Sequence, residues 1–328
     1  MFSKIRSAHT ASLAIINALR RHRGWGKIKL EKIFIIFPLA IIRNWRVQLD
    51  IIKVLSTQTI YTINRHQPKL HFKYIDDAYL SKNLTTSKRA SALFYNYKYL
   101  SSVLCDTFLY DIANGWASIY ENDVGEDNYS IVMGISKPFF NEGEISLELL
   151  SNSDRVFVFS FTIVPGSIIE SDKETAIFLT RVQGVRGAFE LIKRATKDMR
   201  DTSPPYILFA ALSGIATALG ISCICGVNSA NQVCDAGSDT SSFDSLYDSL
   251  FSSLGAVRGS NGMFYFDIPL HEKPLGLVKR YHRSRTNKKR QLRRLVADRV
   301  HHNICLNRRV SALLPLTFKT ERKQIDRL

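Results

Sequence analysis

Residues 176–231 constrain the fold of this chain more than any other stretch. An apolar run ends in a glycine-bearing turn after Val182, two helical segments follow, and a second apolar run over residues 221–227 ends at a cluster of asparagines. Two parallel strands of one sheet need a long crossover connection of this kind, whereas an antiparallel pair needs only a turn. The stretch therefore predicts a strand–helix–helix–strand crossover at the centre of the fold.

The two helices of this crossover differ in character. Arg186–Met199 has apolar residues on one face and charged residues on the other, which predicts an amphipathic helix. Ser203 followed by two prolines predicts the start of the next helix. That helix is apolar on nearly all sides up to Leu219, so we expect it to be buried, and we expect Gly220 to end it.

The rest of the chain predicts an α+β protein. Residues 1–104 are mostly helical by the spacing of their apolar residues, and from about residue 108 the spacing changes to two, as in strands. We predict a helical N-terminal region over residues 1–104. A mixed α/β core over residues 105–278 holds an antiparallel meander that leads into the crossover. A basic C-terminal helix and tail fill residues 279–328.

Charge is unevenly distributed along the chain. Residues 1–53 carry 11 Lys/Arg and 2 acids (net +9), residues 54–278 carry 18 and 24 (net −6), and residues 279–328 carry 16 and 3 (net +13). Basic ends favour anionic partners, namely nucleic acid, anionic membrane lipid or phosphorylated glycolipids. The alternatives are that these charges are simply solvated, or that they pair with the acidic body.

Several absences bear on localisation. No secretory signal is recognisable, and the longest apolar run, Ile33–Ile42, is too short to span a bilayer. Its cationic flanks suit a segment lying in a membrane interface, or an ordinary core helix. The five cysteines lack zinc-type spacing, which favours a reducing compartment. We predict a cytoplasmic protein, peripheral at the inner membrane, with no signal peptide and no transmembrane helix.

The first turn of the crossover is the candidate cofactor site. Glycines after a strand let backbone N–H groups approach a phosphate, and the next helix adds a partial positive charge. The spacing resembles the acyl-CoA loop of GNAT-type acyltransferases, so a GNAT-like fold is one form the α+β prediction can take. That loop leads through one helix rather than two, and a purely structural turn is the alternative. The residues proposed to bind acyl-CoA or an acyl carrier are Gln183, Gly184, Arg186, Gly187 and Ala188.

Two further groups are candidates for chemistry in a cleft. Glu142 and Glu144 lie on the polar face of a predicted strand, where crowding of like charges would raise the pKa of one carboxylate and make it a general base. The alternative is the solvent-facing polar side of a half-buried strand. Asn228 and Asn231 follow the second crossover strand, at the end where α/β proteins place ligands. They are candidates for binding a substrate amide or hydroxyl, or they simply form a turn.

The C-terminal basic helix is the candidate anion-binding site. Its cations cover most of its circumference and would bind phosphates without reading a base sequence. Only Tyr281 lies near them, so stacking on single-stranded nucleic acid is weakly supported. The candidate residues are Arg285, Lys288, Lys289, Arg290, Arg293 and Arg294.

Five blocks, in order over roughly residues 40–300, resemble the VirK (VirK/YbjX) family of Gram-negative bacterial proteins. They are Asn141–Leu149 (NEGEISLEL), Val182–Gly184 (VQG) with Gly187, Ile192–Met199 (IKRATKDM), Val227–Val233 (VNSANQV) and Asn287–Leu295 (NKKRQLRRL). Two features depart from the family pattern. Asn96-Tyr97 stands where the family usually has His-Tyr, and a tryptophan expected near Phe243–Phe251 is missing.

The resemblance implies envelope biology rather than a settled reaction. Family members are linked to the surface display of a virulence protein and to resistance against cationic antimicrobial peptides. The first hypothesis is therefore an accessory factor that supports such display and docks on anionic lipid, with an exported surface virulence protein as a further partner. The alternatives are an acyltransferase that modifies an envelope component and a regulator that binds RNA or DNA. The sequence leaves open whether the protein is an enzyme.

Overall fold

A computed structural model gives the fold of residues 42–57, 60, 62–63, 66–67, 70–115, 117–137, 140–233 and 248–309. The helices are α1 (Trp45–Leu55), α2 (Thr86–Val103), α3 (Asp106–Asn114), α4 (Phe189–Asp198), α5 (Pro204–Leu219) and α6 (Arg283–Leu306). The strands are β1 (Ala117–Val124), β2 (Asp127–Ile135), β3 (Ile145–Ser151), β4 (Asp154–Pro165), β5 (Thr175–Gly184), β6 (Cys223–Gly226), β7 (Val257–Arg258) and β8 (Phe264–Asp267).

The strands form one eight-stranded sheet in the order β1-β2-β3-β4-β5-β6-β8-β7. Neighbours are antiparallel except β5 and β6, which are parallel. Helices α4 and α5 connect these two strands, so the predicted crossover and the predicted antiparallel meander are both confirmed. The α+β class is confirmed with them.

Helices cover both faces of the sheet. The register aligns Ile145 with Phe161, Leu179, Gly226 and Phe264 across five strands, so these residues share one face. Helix α5 packs on that face, where the ring of Phe209 lies 4.5 Å from that of Phe266. Helix α2 packs on the opposite face, against β4. One apolar core therefore extends on both sides of the central strands.

The two helices of the crossover begin and end for local reasons. Helix α5 starts at Pro204 after Ser203 and ends at Gly220, which has a φ of +72° that favours glycine. Helix α4 begins at Phe189, three residues later than predicted, because Gly187 has a φ of +82°. The strand-to-helix turn therefore extends through Ala188.

Helix α6 packs closely on α5. Its buried residues Leu292, Val296, Val300 and Ile304 recur at every fourth position and form one stripe. A Cβ atom on Gly214 of α5 would lie 2.4 Å from the carbonyl oxygen of Ala297, so the two backbones approach as closely as glycine allows. The basic C-terminal helix is thus an integral part of the core.

One boundary differs from the prediction. The change to strand spacing was expected from about residue 108, but Asp106–Asn114 forms helix α3. Its buried residues Phe108, Leu109, Ile112 and Ala113 have helical spacing, which a spacing of two does not fit. Strand β1 follows α3 directly and forms an edge of the sheet.

Candidate functional site

A cluster of charged and polar side chains lies inside the protein around Glu144. Its Oε1 accepts hydrogen bonds from Lys73 Nζ (2.6 Å) and Tyr79 Oη (2.7 Å), and its Oε2 accepts one from Tyr97 Oη (2.5 Å). The Glu144 side chain is 0% exposed and the Lys73 side chain 4%. Buried charges need both a partner and hydrogen bonds, and this carboxylate has them.

Separate parts of the chain supply the members of this cluster. Lys73 lies on the 3₁₀ turn Leu70–Ile75, Tyr79 on the loop after it, and Tyr97 on α2. Glu144 directly precedes β3, and its N–H extends the ladder by donating to the carbonyl oxygen of Phe161 (3.1 Å). The cluster therefore links the N-terminal helices to the centre of the sheet.

Burial sets the protonation of the donors in this cluster. It raises the pKa of both Tyr79 and Tyr97 well above the usual phenol value, and the charge of Glu144 raises it further. Both phenols therefore remain donors at neutral pH. Burial lowers the pKa of Lys73, and the charge of Glu144 opposes that effect.

The two predicted carboxylates therefore do not face solvent. Glu142 and Glu144 are both buried, because α2 and the loop before it cover this face of the sheet. Gly143 between them has a φ of +151°, and a Cβ atom there would lie 2.9 Å from Phe161 N. Only glycine fits this close approach, which brings both carboxylates inward. A role of either carboxylate as a general base remains a prediction.

Glu142 lies over a β-bulge in β5. Its Oε2 is 2.9 Å from Arg181 Nε, and its carbonyl oxygen accepts a hydrogen bond from Thr180 Oγ1. Thr180 is the bulged residue, since Ser160 pairs with Arg181 while the next residue of β4 pairs with Leu179. The bulge turns the Arg181 side chain toward the carboxylate.

The structure joins this acidic residue to the candidate cofactor loop. Arg181 donates to Gln183 Oε1 from both Nε (3.0 Å) and Nη2 (2.9 Å). Gln183 is the first residue of the predicted loop. The Arg181 guanidinium therefore contacts both Glu142, a candidate catalytic residue, and Gln183, a candidate cofactor-binding residue. Glu144 is bound instead to Lys73 and the tyrosines, and the two carboxylates therefore have different partners.

The glycine loop lies at the carboxyl end of β5, as predicted. Arg186 and Gly187 are exposed, and a Cβ atom on Gly187 would meet no atom within 4 Å. The pairing of β5 with β6 ends at Leu179, five residues before β5 itself ends at Gly184. Strand β6 thus ends well before the loop, because its last residue, Gly226, pairs with Leu179. Helix α4 begins after it without a side-chain cap.

The candidate asparagines form a turn at the end of β6. Asn228 is buried, and its Oδ1 accepts a hydrogen bond from the N–H of Asn231 (3.0 Å), which caps the 3₁₀ turn Ser229–Asn231. The carbonyl oxygen of Asn231 accepts from the N–H of Lys82 (2.9 Å). These contacts hold the turn against the loop that carries Tyr79; a role in substrate binding remains a prediction.

One acidic residue holds half of the candidate anion-binding set. Glu272 Oε1 lies 3.2 Å from Arg293 Nη2, and its Oε2 lies 2.5 Å from Arg294 Nη2 and 3.8 Å from Arg290 Nε. The predicted alternative, pairing of the basic helix with the acidic body, therefore accounts for these three arginines. The cations at the beginning of α6 are placed differently.

The beginning of α6 presents cations to solvent. Lys288 is exposed, and Arg285 is 61% exposed although its Nε lies 3.2 Å from Asp201 Oδ2. Partial burial lowers the pKa of Lys289, and the neighbouring charge of Arg285 lowers it further. Like charges crowd here, which favours an anionic partner.

Sequence reasoning missed several residues of these sites. Lys73 and Tyr79 of the interior cluster carry no local signal, because a lysine in LHFKYI is typical of a surface turn, and Tyr97 stood out only as part of the family's His-Tyr position. Lys279, Arg280 and Leu277 are exposed just before α6, as is Tyr281, which the sequence offered only as a weak candidate for stacking on a base.

Within the described part of the chain, no three His, Cys, Asp or Glu side chains are grouped to hold a metal ion. No helix among the same residues is both long and apolar enough to cross a bilayer. A groove of about 560 Å³ lies between β1 and α6, and none of the candidate residues line it. Its lining is Ser118, Ile119, Tyr120, Glu121, Asp298, Arg299, His302, Asn303 and Leu306.

A comparison with protein families gives one match. The family model described as "Protein of unknown function (DUF535)" matches residues 26–302, which is well over half of the chain. No curated protein and no solved structure matches the chain significantly.

Proposed function

This protein belongs to the DUF535 family, which is the VirK (VirK/YbjX) family, and we propose that it is an envelope accessory factor that docks on anionic membrane lipid. The family's link to surface display of a virulence protein and to resistance against antimicrobial peptides gives the biological setting. An exported surface protein is then a further partner, and the membrane is where the two would meet.

The observation that carries this proposal is the set of exposed cations in the loop just before α6 and in the first turns of that helix. Lys279, Arg280 and Lys288 are exposed there, whereas Glu272 holds the arginines of the next turns. Each cation near an anionic membrane surface contributes about 1 kcal/mol of attraction, so three of them give a salt-dependent contact. The same positions would meet the phosphate of a phosphorylated glycolipid.

The test compares two charge reversals of equal size. Lys279, Arg280 and Lys288 are changed together to Glu, and the control changes the exposed lysines Lys53, Lys82 and Lys98 to Glu. We expect the first variant to bind vesicles with anionic lipid about a hundredfold more weakly than wild type. The control variant should lose far less.

Two outcomes count against membrane docking. Equal loss of vesicle binding in both variants would show that net charge alone acts, with no role for the beginning of α6. Crosslinking of the protein to RNA in cells, abolished by the first variant, would favour the regulator instead.

A second candidate function is acyl transfer, and the exposed glycine loop beyond the end of β6 favours it. Strand β6 ends opposite Leu179, and the exposed loop with Gly187 follows on the longer strand β5. An acyl-CoA pyrophosphate would contact the backbone N–H groups of Arg186 and Gly187 and the side chain of Arg186, because the N–H groups of Val185 and Ala188 already donate to backbone carbonyl oxygens. The bound thioester would lie toward Gln183 and its partner Arg181.

Thermal unfolding with and without acyl-CoA tests this second function. We expect acyl-CoA to raise the melting temperature of wild type and not that of Gly187→Trp. Gly125→Trp is the matched control, because Gly125 also has a positive φ and open space around it. If no CoA ester shifts the melting temperature of wild type, acyl transfer through this loop is excluded.

A further inference from the structure

Two large apolar side chains stand out from the loop before α6. Leu277 is 78% exposed and Tyr281 is 73% exposed. Leu277 ends the short 3₁₀ turn Leu275–Leu277, and Tyr281 is the middle residue of a second turn, Arg280–His282, that leads into the helix. The two side chains are four positions apart in the chain, and exposed apolar surface rimmed by polar residues marks a site of interaction with a protein or a membrane.

The loop that carries them is held in place. Arg283 Nε donates to the carbonyl oxygen of Val278 (2.9 Å), and its Nη2 donates to that of Gly276 (2.9 Å). The ring of Tyr281 packs against that of His282, with centroids 4.1 Å apart. Arg283 therefore closes the loop and keeps both apolar side chains turned outward.

Exposed cations flank the two apolar side chains along the chain. Lys273, Lys279 and Arg280 are exposed on the same loop, and Lys288 is exposed on the following helix. Apolar and aromatic side chains flanked by lysine and arginine are the combination that binds at the boundary between lipid head groups and acyl chains. A soluble polyanion, in contrast, would contact only the cations.

We propose that Leu277 and Tyr281 insert into the interface of an anionic bilayer while the surrounding cations contact lipid phosphates. This inference rests on the proposed membrane docking and adds its mode, which is insertion and not charge attraction alone. It also makes a bilayer the ligand of this surface, in place of free phosphate or nucleic acid.

The test removes the apolar groups and leaves the charge unchanged. The variant is Leu277→Ser with Tyr281→Ser, and the control is Val257→Ser with Leu306→Ser, two side chains that are also about as exposed (70% and 72%). We expect the first variant to bind vesicles of mixed phosphatidylcholine and phosphatidylglycerol about tenfold more weakly, from the lost apolar burial. Binding to heparin, a soluble polyanion, should be unchanged in both variants.

High salt separates the two contributions. At about 1 M salt, where charges are screened beyond roughly 3 Å, wild type should retain part of its vesicle binding and the Leu277→Ser, Tyr281→Ser variant should lose it. If the Leu277→Ser, Tyr281→Ser variant binds vesicles as well as wild type does while the charge-reversal variant remains defective, insertion is overturned and docking stays intact. If the serine variant and the charge-reversal variant both bind vesicles as well as wild type does, docking itself is overturned. Melting temperatures check that these two variants remain folded.

A second measurement does not depend on a loss of binding. In Tyr281→Trp, lipids brominated near the head of the acyl chain should quench the added tryptophan fluorescence more than they quench wild type. Equal quenching would place residue 281 outside the bilayer and overturn the proposal.

Discussion

Lys73 and Glu144 are 71 positions apart in the sequence, and their side chains meet in the protein interior with Nζ and Oε1 2.6 Å apart. Neither charge has water to solvate it, so each depends on the other and on the phenol donors Tyr79 and Tyr97. Such a pair contributes little net stability over a well-packed apolar core, but removal of one partner leaves a buried charge without compensation.

Lys73→Met should therefore destabilise the protein strongly. We expect the free energy of unfolding, measured in urea, to fall by about 3–5 kcal/mol because Glu144 stays buried without its cation. Lys53→Met is the control, since Lys53 forms an exposed pair with Asp50 and should cost less than about 1 kcal/mol.

The double variant Lys73→Met with Glu144→Leu tests the cause of that loss. It removes the stranded charge, so it should regain a substantial part of the stability that Lys73→Met loses. If the two substitutions simply add, the pair is not coupled and the explanation is wrong.

His71 should make the protein less stable in acid. Burial lowers the pKa of His71 from 6.5 to about 4, so the unfolded state binds a proton between these values and the folded state does not. The stability from the neutral imidazole is fully present above pH 6.5 and is lost as the pH falls toward 4, by about 3 kcal/mol at most.

The measurement is the free energy of unfolding at several pH values in this window. His71→Gln should have a shallower pH dependence than wild type, and His66→Gln, an exposed neighbour in sequence, should keep the wild-type slope. Parallel curves for wild type and His71→Gln would contradict the assignment.

Gly214→Ala should be destabilising although alanine favours helices. Alanine gains about 1 kcal/mol of helix propensity over glycine, but its Cβ would lie 2.4 Å from the backbone oxygen of Ala297. Overpacking against backbone costs about 1–3 kcal/mol. We therefore expect a net loss of up to about 2 kcal/mol in thermal or urea unfolding.

Gly276→Ala is the matched control for this prediction. A Cβ atom at Gly276 would meet no atom within 4 Å, so its stability should change little. Stabilisation by Gly214→Ala would mean that α5 and α6 do not approach each other as closely as described.

Glu272→Gln should strengthen binding to anionic vesicles. It releases Arg290, Arg293 and Arg294 from their shared carboxylate and adds one unit of positive charge beside the docking surface. We expect binding about fivefold tighter, equivalent to about 1 kcal/mol. Glu126→Gln, an exposed acid in the turn between β1 and β2, changes the net charge equally and should have no such effect.

Local patterns predicted most of the secondary structure. Alternation identified β3, a continuous apolar run identified β4, and the serine and prolines before α5 identified its start, because each of these signals depends on neighbouring residues. Strand β1 was not predicted, since its second half, ENDV, is mostly polar along an edge of the sheet. Helix α3 was obscured by the expected change of spacing near residue 108.

The candidate sites were harder to predict because their members are distant in sequence. The buried state of Glu144 depends on Lys73 and Tyr97, and nothing near any one of them in the chain indicates the other two. Glu272 likewise lies 22 positions from Arg294, so the sequence showed the cations of α6 without showing which of them are neutralised. Spacing reveals an element, whereas the solvation of a charge depends on the whole fold.

The interior cluster has a consequence for how the chain can be divided. Glu144 belongs to the sheet, but among the residues that the structure describes the side chains that donate to its oxygens come from residues 73–97. A fragment that begins after residue 104 would keep the Glu144 carboxylate in its interior without its hydrogen-bond donors. The excised N-terminal helices would expose the donors Lys73, Tyr79 and Tyr97 to solvent. The protein should therefore unfold as one cooperative unit, and expression of its central region alone should yield aggregated material.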